Sequence, residues 1–114
     1  MFKFERLTVW QRAVDLYASV SDITDRLPAR EQHSLGDQLR RAALSVSANI
    51  AEGSGREGGR EGKHFFNIAK GSVYEVVSLL AAAKRRGHLV AEAHEPLYIR
   101  CDEIARMLSG LLRR

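Results

Sequence analysis

The stretch Gln38-Leu39-Arg40-Arg41-Ala42-Ala43-Leu44-Ser45-Val46-Ser47-Ala48-Asn49-Ile50-Ala51-Glu52-Gly53 decides the fold. Leu39, Ala42, Val46 and Ile50 recur at steps of three and four, the spacing that puts side chains on one face of an α-helix. Upstream, Leu35 extends the stripe, and the segment reads as a helix over about residues 31–54. Gly53, Gly55, Gly58 and Gly59 then break the pattern.

A polar stripe runs beside the apolar one: Gln38, Arg41, Ser45, Asn49 and Glu52. At about 100° per residue these positions fall within about 80° of one another, on one flank of the core face. The next helical segment carries Ser72 on its apolar face and Glu75 on a flank. A charge on such a flank needs a partner once another helix or subunit covers it. Arg41, Ser45, Asn49, Glu52, Ser72 and Glu75 are therefore expected to form a polar network between these two segments. Such a network either fixes register or serves a ligand or an assembly contact. Arg40 falls about 100° further round and is expected to face solvent.

Outward from this segment the same period recurs. Downstream, Phe65, Phe66, Ala69, Val73, Val76, Leu80 and Ala83 line a helix over about residues 60–86. Gly87 follows Lys84-Arg85-Arg86 and reads as its C-terminal cap. Upstream, Val9, Ala13, Leu16, Val20, Ile23 and Leu27 mark a helix over about 8–27, with Thr8 as N-cap and Pro28 as its stop. Leu97, Cys101, Ile104, Leu108 and Leu111 mark a fourth over about 92–112. Pro96 is expected in its first turn, because a deeper proline costs about 3 kcal/mol, which leaves 91–95 as a candidate separate turn. Four amphipathic helices joined by short connections predict a single all-α domain over 1–114. Its expected architecture is an antiparallel, up-down-up-down four-helix bundle.

The 114 residues suit one domain, and 45% apolar with 28% charged residues is an ordinary globular balance. No apolar run reaches the roughly 18 residues of a membrane span, so no membrane role is expected. A single cysteine, Cys101, excludes an intrachain disulfide, and the first residues show no secretory pattern, so a reducing cytoplasm is expected. Eighteen Lys and Arg stand against 14 Asp and Glu. In the expected topology Lys3, Arg6, Arg56, Arg60, Lys63, Arg113 and Arg114 share one end with Glu5, Glu52, Glu57 and Glu61. Arg26, Arg30, Lys84, Arg85 and Arg86 share the other with Asp22, Asp25, Glu31, Asp37, Glu92 and Glu95. The basic excess gathers at the first end, where it can either contact phosphates or remain a solvated loop charge.

Catalytic patterns fail on inspection. The glycines before Lys63 lack the phosphate-loop spacing: Glu57 stands where the first glycine belongs, and His64 follows the lysine. Glu61 and His64 have the Glu-x-x-His spacing of di-iron bundles, but the second such pair is missing. His33, His64, His88 and His94 are scattered, and none pairs with a cysteine at zinc spacing. Cys101 lies on a core stripe. No cofactor, no metal and no enzymatic activity are expected.

The opening Phe4-Glu5-Arg6-Leu7-Thr8-Val9-Trp10-Gln11-Arg12-Ala13 and the central stretch above resemble the four-helix-bundle proteins encoded in intervening sequences of bacterial 23S ribosomal RNA genes. Ile68-Ala69-Lys70-Gly71-Ser72-Val73-Tyr74-Glu75 and Met107-Leu108-Ser109-Gly110-Leu111 continue the resemblance in order. His33-Ser34, the loose Gly58-Gly59-Gly62 connection and Pro96 depart from the family's pattern.

The resemblance implies a barrel-like homo-oligomer, a pentamer. Through a related branch that serves diversity-generating retroelements, it also implies RNA or DNA binding and a reverse transcriptase or other protein as candidate partner. The expected function is that of a non-enzymatic oligomeric binding protein, with Arg12, Arg40, Arg56, Arg60, Lys63, Arg113 and Arg114 contacting nucleic-acid backbones. The alternative is a protein-interaction scaffold with no nucleic-acid role, in which exposed residues such as Leu44 and Tyr74 make subunit contacts.

Overall fold

The computed structural model describes residues 1–56 and 59–114. Glu57 and Gly58, which figure among the loop charges and glycines above, lie outside the described residues. Four long helices carry the fold: α1 (Thr8–Thr24), α2 (Asp37–Gly55), α3 (Gly59–Arg85) and α4 (Ala91–Leu112). No strand occurs among the described residues. The molecule measures 43 × 21 × 21 Å. At about 1.5 Å per residue, α3 alone spans nearly the whole long axis, so the other helices lie alongside it.

The contacts between helices set their directions. Gly53 near the end of α2 touches Gly62 and Phe66 near the start of α3, while Ser45 meets Ser72 one level further in. As the α2 number falls its α3 partner's rises, so the two helices run in opposite directions. Arg12 of α1 pairs with Glu103 of α4, and Lys63 of α3 donates to the Arg114 main-chain oxygen beyond α4. The start of α1, the α2–α3 connection and the end of α4 therefore share one end of the bundle.

Every helix contributes its expected stripe to one core, except that Phe65 lies outside it, beside Arg56 and His64. Leu16, Val20, Leu39, Val46, Ile50, Val76, Leu80, Ile104 and Leu108 are fully buried. Burying a side chain of this kind contributes about 1.5–3 kcal/mol, so this shared face is the main source of stability.

The helix ends depart from the sequence reading in four places. Thr8 is the first residue of α1 rather than its cap; Leu7, extended at φ −78° and ψ 122°, holds that position after a 3-10 turn, Lys3–Arg6. The α1 helix stops at Thr24, and Thr24 rather than Ile23 is the fully buried residue there. Its hydroxyl donates to the Ser21 carbonyl, which makes burial of the polar group tolerable.

The second helical segment is not uniform. A helical turn, Ala29–Glu31, passes into a π-helical stretch, Gln32–Gly36, before α2 begins. The Arg40 guanidinium supports this stretch, donating to the Gln32 carbonyl at 2.9 Å and to Asp37 Oδ1 at 2.7 Å. Arg40 is thus 27% exposed and engaged, which corrects its expected solvent-facing role. Periodicity could not show this, because the guanidinium folds back along its own helix.

Pro96 lies one turn deeper than expected. The α4 helix begins at Ala91 with extended Val90 as its cap, and the first helical bond runs from His94 N–H to the Val90 carbonyl at 3.0 Å. Residues 91–95 therefore belong to the helix and form no separate turn. The donor that Pro96 lacks would have met the Glu92 carbonyl. Both residues are exposed, so solvent reaches that carbonyl. Gly87, by contrast, caps α3 as expected: φ is +79°, and His88 N–H and Gly87 N–H return to the Ala83 and Lys84 carbonyls.

Candidate nucleic-acid interface

The α2–α3 connection builds the basic end. Gly53 and Gly62 bring the two helices into backbone contact: a Cβ on Gly53 would stand 2.6 Å from a Phe66 ring carbon and 2.9 Å from the Gly62 carbonyl oxygen. No side chain larger than hydrogen fits there without displacing backbone. The close crossing swings Phe66 beneath the connection and leaves a cleft of about 340 Å³ between it, the start of α1 and the end of α4.

Lys3, Arg56, Lys63 and Arg114 line this cleft, and no acidic side chain does so among the described residues. Leu7, Phe66 and Leu111 form its floor. Arg56 is oriented by Glu52 at 3.1 Å and Glu61 at 3.4 Å, and it lies 5.2 Å from the centre of the Phe65 ring. Lys63 reaches the Arg114 main-chain oxygen. Ser54 also lines the cleft; its hydroxyl is buried and has no hydrogen-bond partner. An unmade bond of this kind typically costs about 1–3 kcal/mol.

The seven basic residues expected to bind nucleic acid therefore divide. Arg56, Lys63 and Arg114 meet at the cleft, joined by Lys3. Arg60 and Arg113 are exposed nearby and form no ion pair among the described residues. Arg12 and Arg40 lie elsewhere. The first ties α1 to Glu103 of α4, and the second supports the π-helical stretch at the other end. Neither lines the cleft.

The expected polar network is smaller than its six members. The Ser45 and Ser72 hydroxyls meet across α2 and α3 at 2.8 Å, and the Asn49 amide donates to the Ser45 carbonyl and hydroxyl. Glu52 turns to Arg56 on its own helix instead. Arg41 and Glu75 are exposed and form no ion pair among the described residues. The flank that carries them is uncovered in the single chain, so a charge there meets water and needs no partner.

Residues considered for chemistry have structural occupations. Glu61 is a partner of Arg56, and His64 packs edge-on against Phe65 with centroids 5.5 Å apart. Burial pushes the Cys101 thiol up to about 12, which leaves it protonated and unreactive at neutral pH. No group of three His, Cys, Asp or Glu side chains converges among the described residues.

The sequence reading missed Leu7, Ser54 and Phe66 as cleft residues. A signal existed for the glycine crossing: Gly53 and Gly62 flank the connection on facing helical stripes. Nothing comparable marked the Glu31–His88 contact, whose partners are 57 residues apart.

Comparison with solved structures finds a similar fold in a crystal structure from Bacteroides thetaiotaomicron. That protein is of unknown function and is assigned to the S23 ribosomal protein family. The TM-score is 0.86, with 94% of this chain and 100% of that chain covered at 20% identity. At that identity the likeness concerns the fold alone. No functionally curated protein matches the sequence. The family of 23S rRNA-intervening sequence proteins matches residues 5–110. Nearly the whole chain lies within that match, from the 3-10 turn to the last turn of α4, and the protein belongs to the 23S rRNA-intervening sequence protein family.

Proposed function

We propose that this protein is a non-enzymatic binding protein that contacts RNA or DNA backbones through its basic end and works as a homo-oligomer. The observation that carries the reading is the charge arrangement at the cleft. Four cationic side chains line it with no acidic lining residue among the described residues, whereas the cations of the opposite end are interleaved with carboxylates. Arg60 and Arg113 extend the surface beyond the cleft. Contacts of this kind are sequence-tolerant and release counterions, so affinity falls steeply with salt.

Self-association rests on a second surface. Tyr74 and Tyr98, 62% and 51% exposed, flank a groove between α3 and α4 floored by Val73, Val77, Cys101 and Ala105. Leu44 on α2 is also half-exposed. The family resemblance makes a pentamer the expected assembly. The same apolar surface supports the second reading, a scaffold that engages another protein without nucleic acid, a reverse transcriptase being one candidate.

Light scattering coupled to size exclusion tests both parts. The expected result is a particle near five protomers that shifts further with structured RNA and loses that shift as salt rises. A monomer indifferent to RNA would overturn the proposal. An oligomer whose partner binding survives charge reversal at Arg56 and Arg60 would favour the scaffold.

A further inference from the structure

We infer that the α3–α4 groove of one protomer receives the α1–α2 face of the next, so that copies of this chain join head to tail. The inference rests on the reading that the protein works as a homo-oligomer, and it names the surface of the second copy that fills the groove.

Helix order places the two surfaces back to back. The α1 and α3 helices each pack against both α2 and α4, so they occupy opposite corners of the bundle, and the α1–α2 face lies opposite the α3–α4 face. Phe4 ties the α1–α2 face together. It packs edge-on against Trp10, with centroids 4.9 Å apart, and lines a recess with Ala48 and Ala51 of α2. One helical turn further from the basic end, Val14 and Leu44 are 36% and 50% exposed and continue this apolar face. The other two faces are charged. Arg41, Glu52 and Glu75 flank the α2–α3 seam, and the Arg12–Glu103 pair crosses the α1–α4 seam.

Chemistry, level and size match between the two apolar surfaces. Among the described residues, Asp102 is the one charged group lining the groove, and Arg106 pairs with it at 3.0 Å. Docking therefore strands no unpaired charge, which would be costly to bury. Tyr74 and Tyr98 supply the amphipathic rings that suit an interface. The Ser45–Ser72 contact sets the level: Leu44 and Tyr74 each lie within two residues of it. Rotation about an axis parallel to the bundle preserves that height, so Leu44 of one copy meets the groove of the next. One side of a molecule 43 Å long and 21 Å wide offers roughly 900 Å², comparable to the ~800 Å² that each partner buries in a stable interface. A contact between unlike faces closes into a ring or continues as a filament, and it covers both apolar surfaces of each copy it joins on both sides.

The test couples light scattering of the wild-type protein to cross-linking with a flexible bismaleimide, read as covalent size after denaturation. The single native thiol, Cys101, is fully buried and does not react. The variants are Leu44→Cys, Tyr74→Cys and the two combined, both at exposed positions. The double variant is expected to give a ladder of covalent multimers up to the size of the wild-type particle. The two single variants co-expressed should give covalent dimers and nothing larger, whereas each alone should stay a single chain. Covalent dimers from either single variant alone would overturn the inference, because they require like faces to meet. Absence of cross-links in the co-expressed pair, with the wild-type protein oligomeric, would overturn it too and leave self-association through another contact. A monomeric wild-type protein would overturn the self-association reading as well.

Discussion

The two ends of the bundle use charge in opposite ways. Where α1 stops and α3 passes to α4, charged groups serve one another and the backbone. Glu31 accepts from Ser34 at 3.0 Å and contacts His88 Nε2 at 3.0 Å, which links the second helical segment to the α3–α4 connection. Arg40 pairs with Asp37 and the Gln32 carbonyl, and the Gln32 amide donates to the Thr24 and Leu27 carbonyls at 2.7 and 2.9 Å. At the other end a glycine contact, with the Arg56–Glu61 pair beside it, holds α2 to α3, and four cationic side chains line a cleft. Polar side chains that close a connection have fixed partners. Around the cleft Arg56 and Lys63 also have partners, while Lys3 and the Arg114 guanidinium form no ion pair among the described residues.

This contrast can be broken at either end. The largest effect is expected from Gly53→Ala at the basic end. The new methyl would overlap the Phe66 ring and the Gly62 carbonyl, and overpacking of this kind costs about 1–3 kcal/mol. Urea unfolding should show a lower midpoint with an unchanged slope. Gln32→Ala, at the opposite end, should cost about 2 kcal/mol, because two helix-end carbonyls lose their donor together. Unlike the glycine variant, it should leave RNA binding intact. Arg40→Ala should cost about 1 kcal/mol for a partly exposed contact, again without effect on binding, which would confirm that this arginine is structural.

Acid gives the gentlest test of the charged end. The Ser34 and His88 contacts hold the Glu31 carboxyl below its ordinary 4.5. The Arg40 contact holds Asp37 below its ordinary 3.8. Both folded values are depressed, so their contribution to stability is complete above the ordinary values and is lost as pH falls through the folded ones. Thermal midpoints should decline below about pH 4. The double variant Glu31→Gln, Asp37→Asn should show a shallower decline than the parent protein.

How far the sequence spoke follows the same division. The helices and their core faces were legible because apolar spacing is a local, repeating signal: Leu39, Ala42, Val46 and Ile50 could hardly lie elsewhere than inside. The gathering of basic residues at one end followed from helix order alone. What stayed hidden depends on side-chain trajectory. Arg40 was placed by its angle on the helix, but its long side chain bends back to Gln32 and Asp37. Glu52 was assigned across the interface and instead found Arg56 one turn along. Pro96 was kept out of the helix by a penalty that solvent reduces. Ser54 gave no signal, because an absent hydrogen bond is a property of coordinates rather than of residue type.

The two ends should differ in their effect on RNA binding even where equal numbers of charges are removed. Two variants of matched charge, compared for the salt dependence of their RNA affinity, separate the ends. One replaces Arg60, Lys63, Arg113 and Arg114 by Gln, and the other replaces Arg30, Lys84, Arg85 and Arg86. The basic-end variant should lose most of its affinity, with the log–log salt slope reduced by roughly one for each phosphate contact removed. The opposite-end variant should keep the parent slope. Equal losses from both would mean that net charge alone attracts the RNA, and would contradict the account.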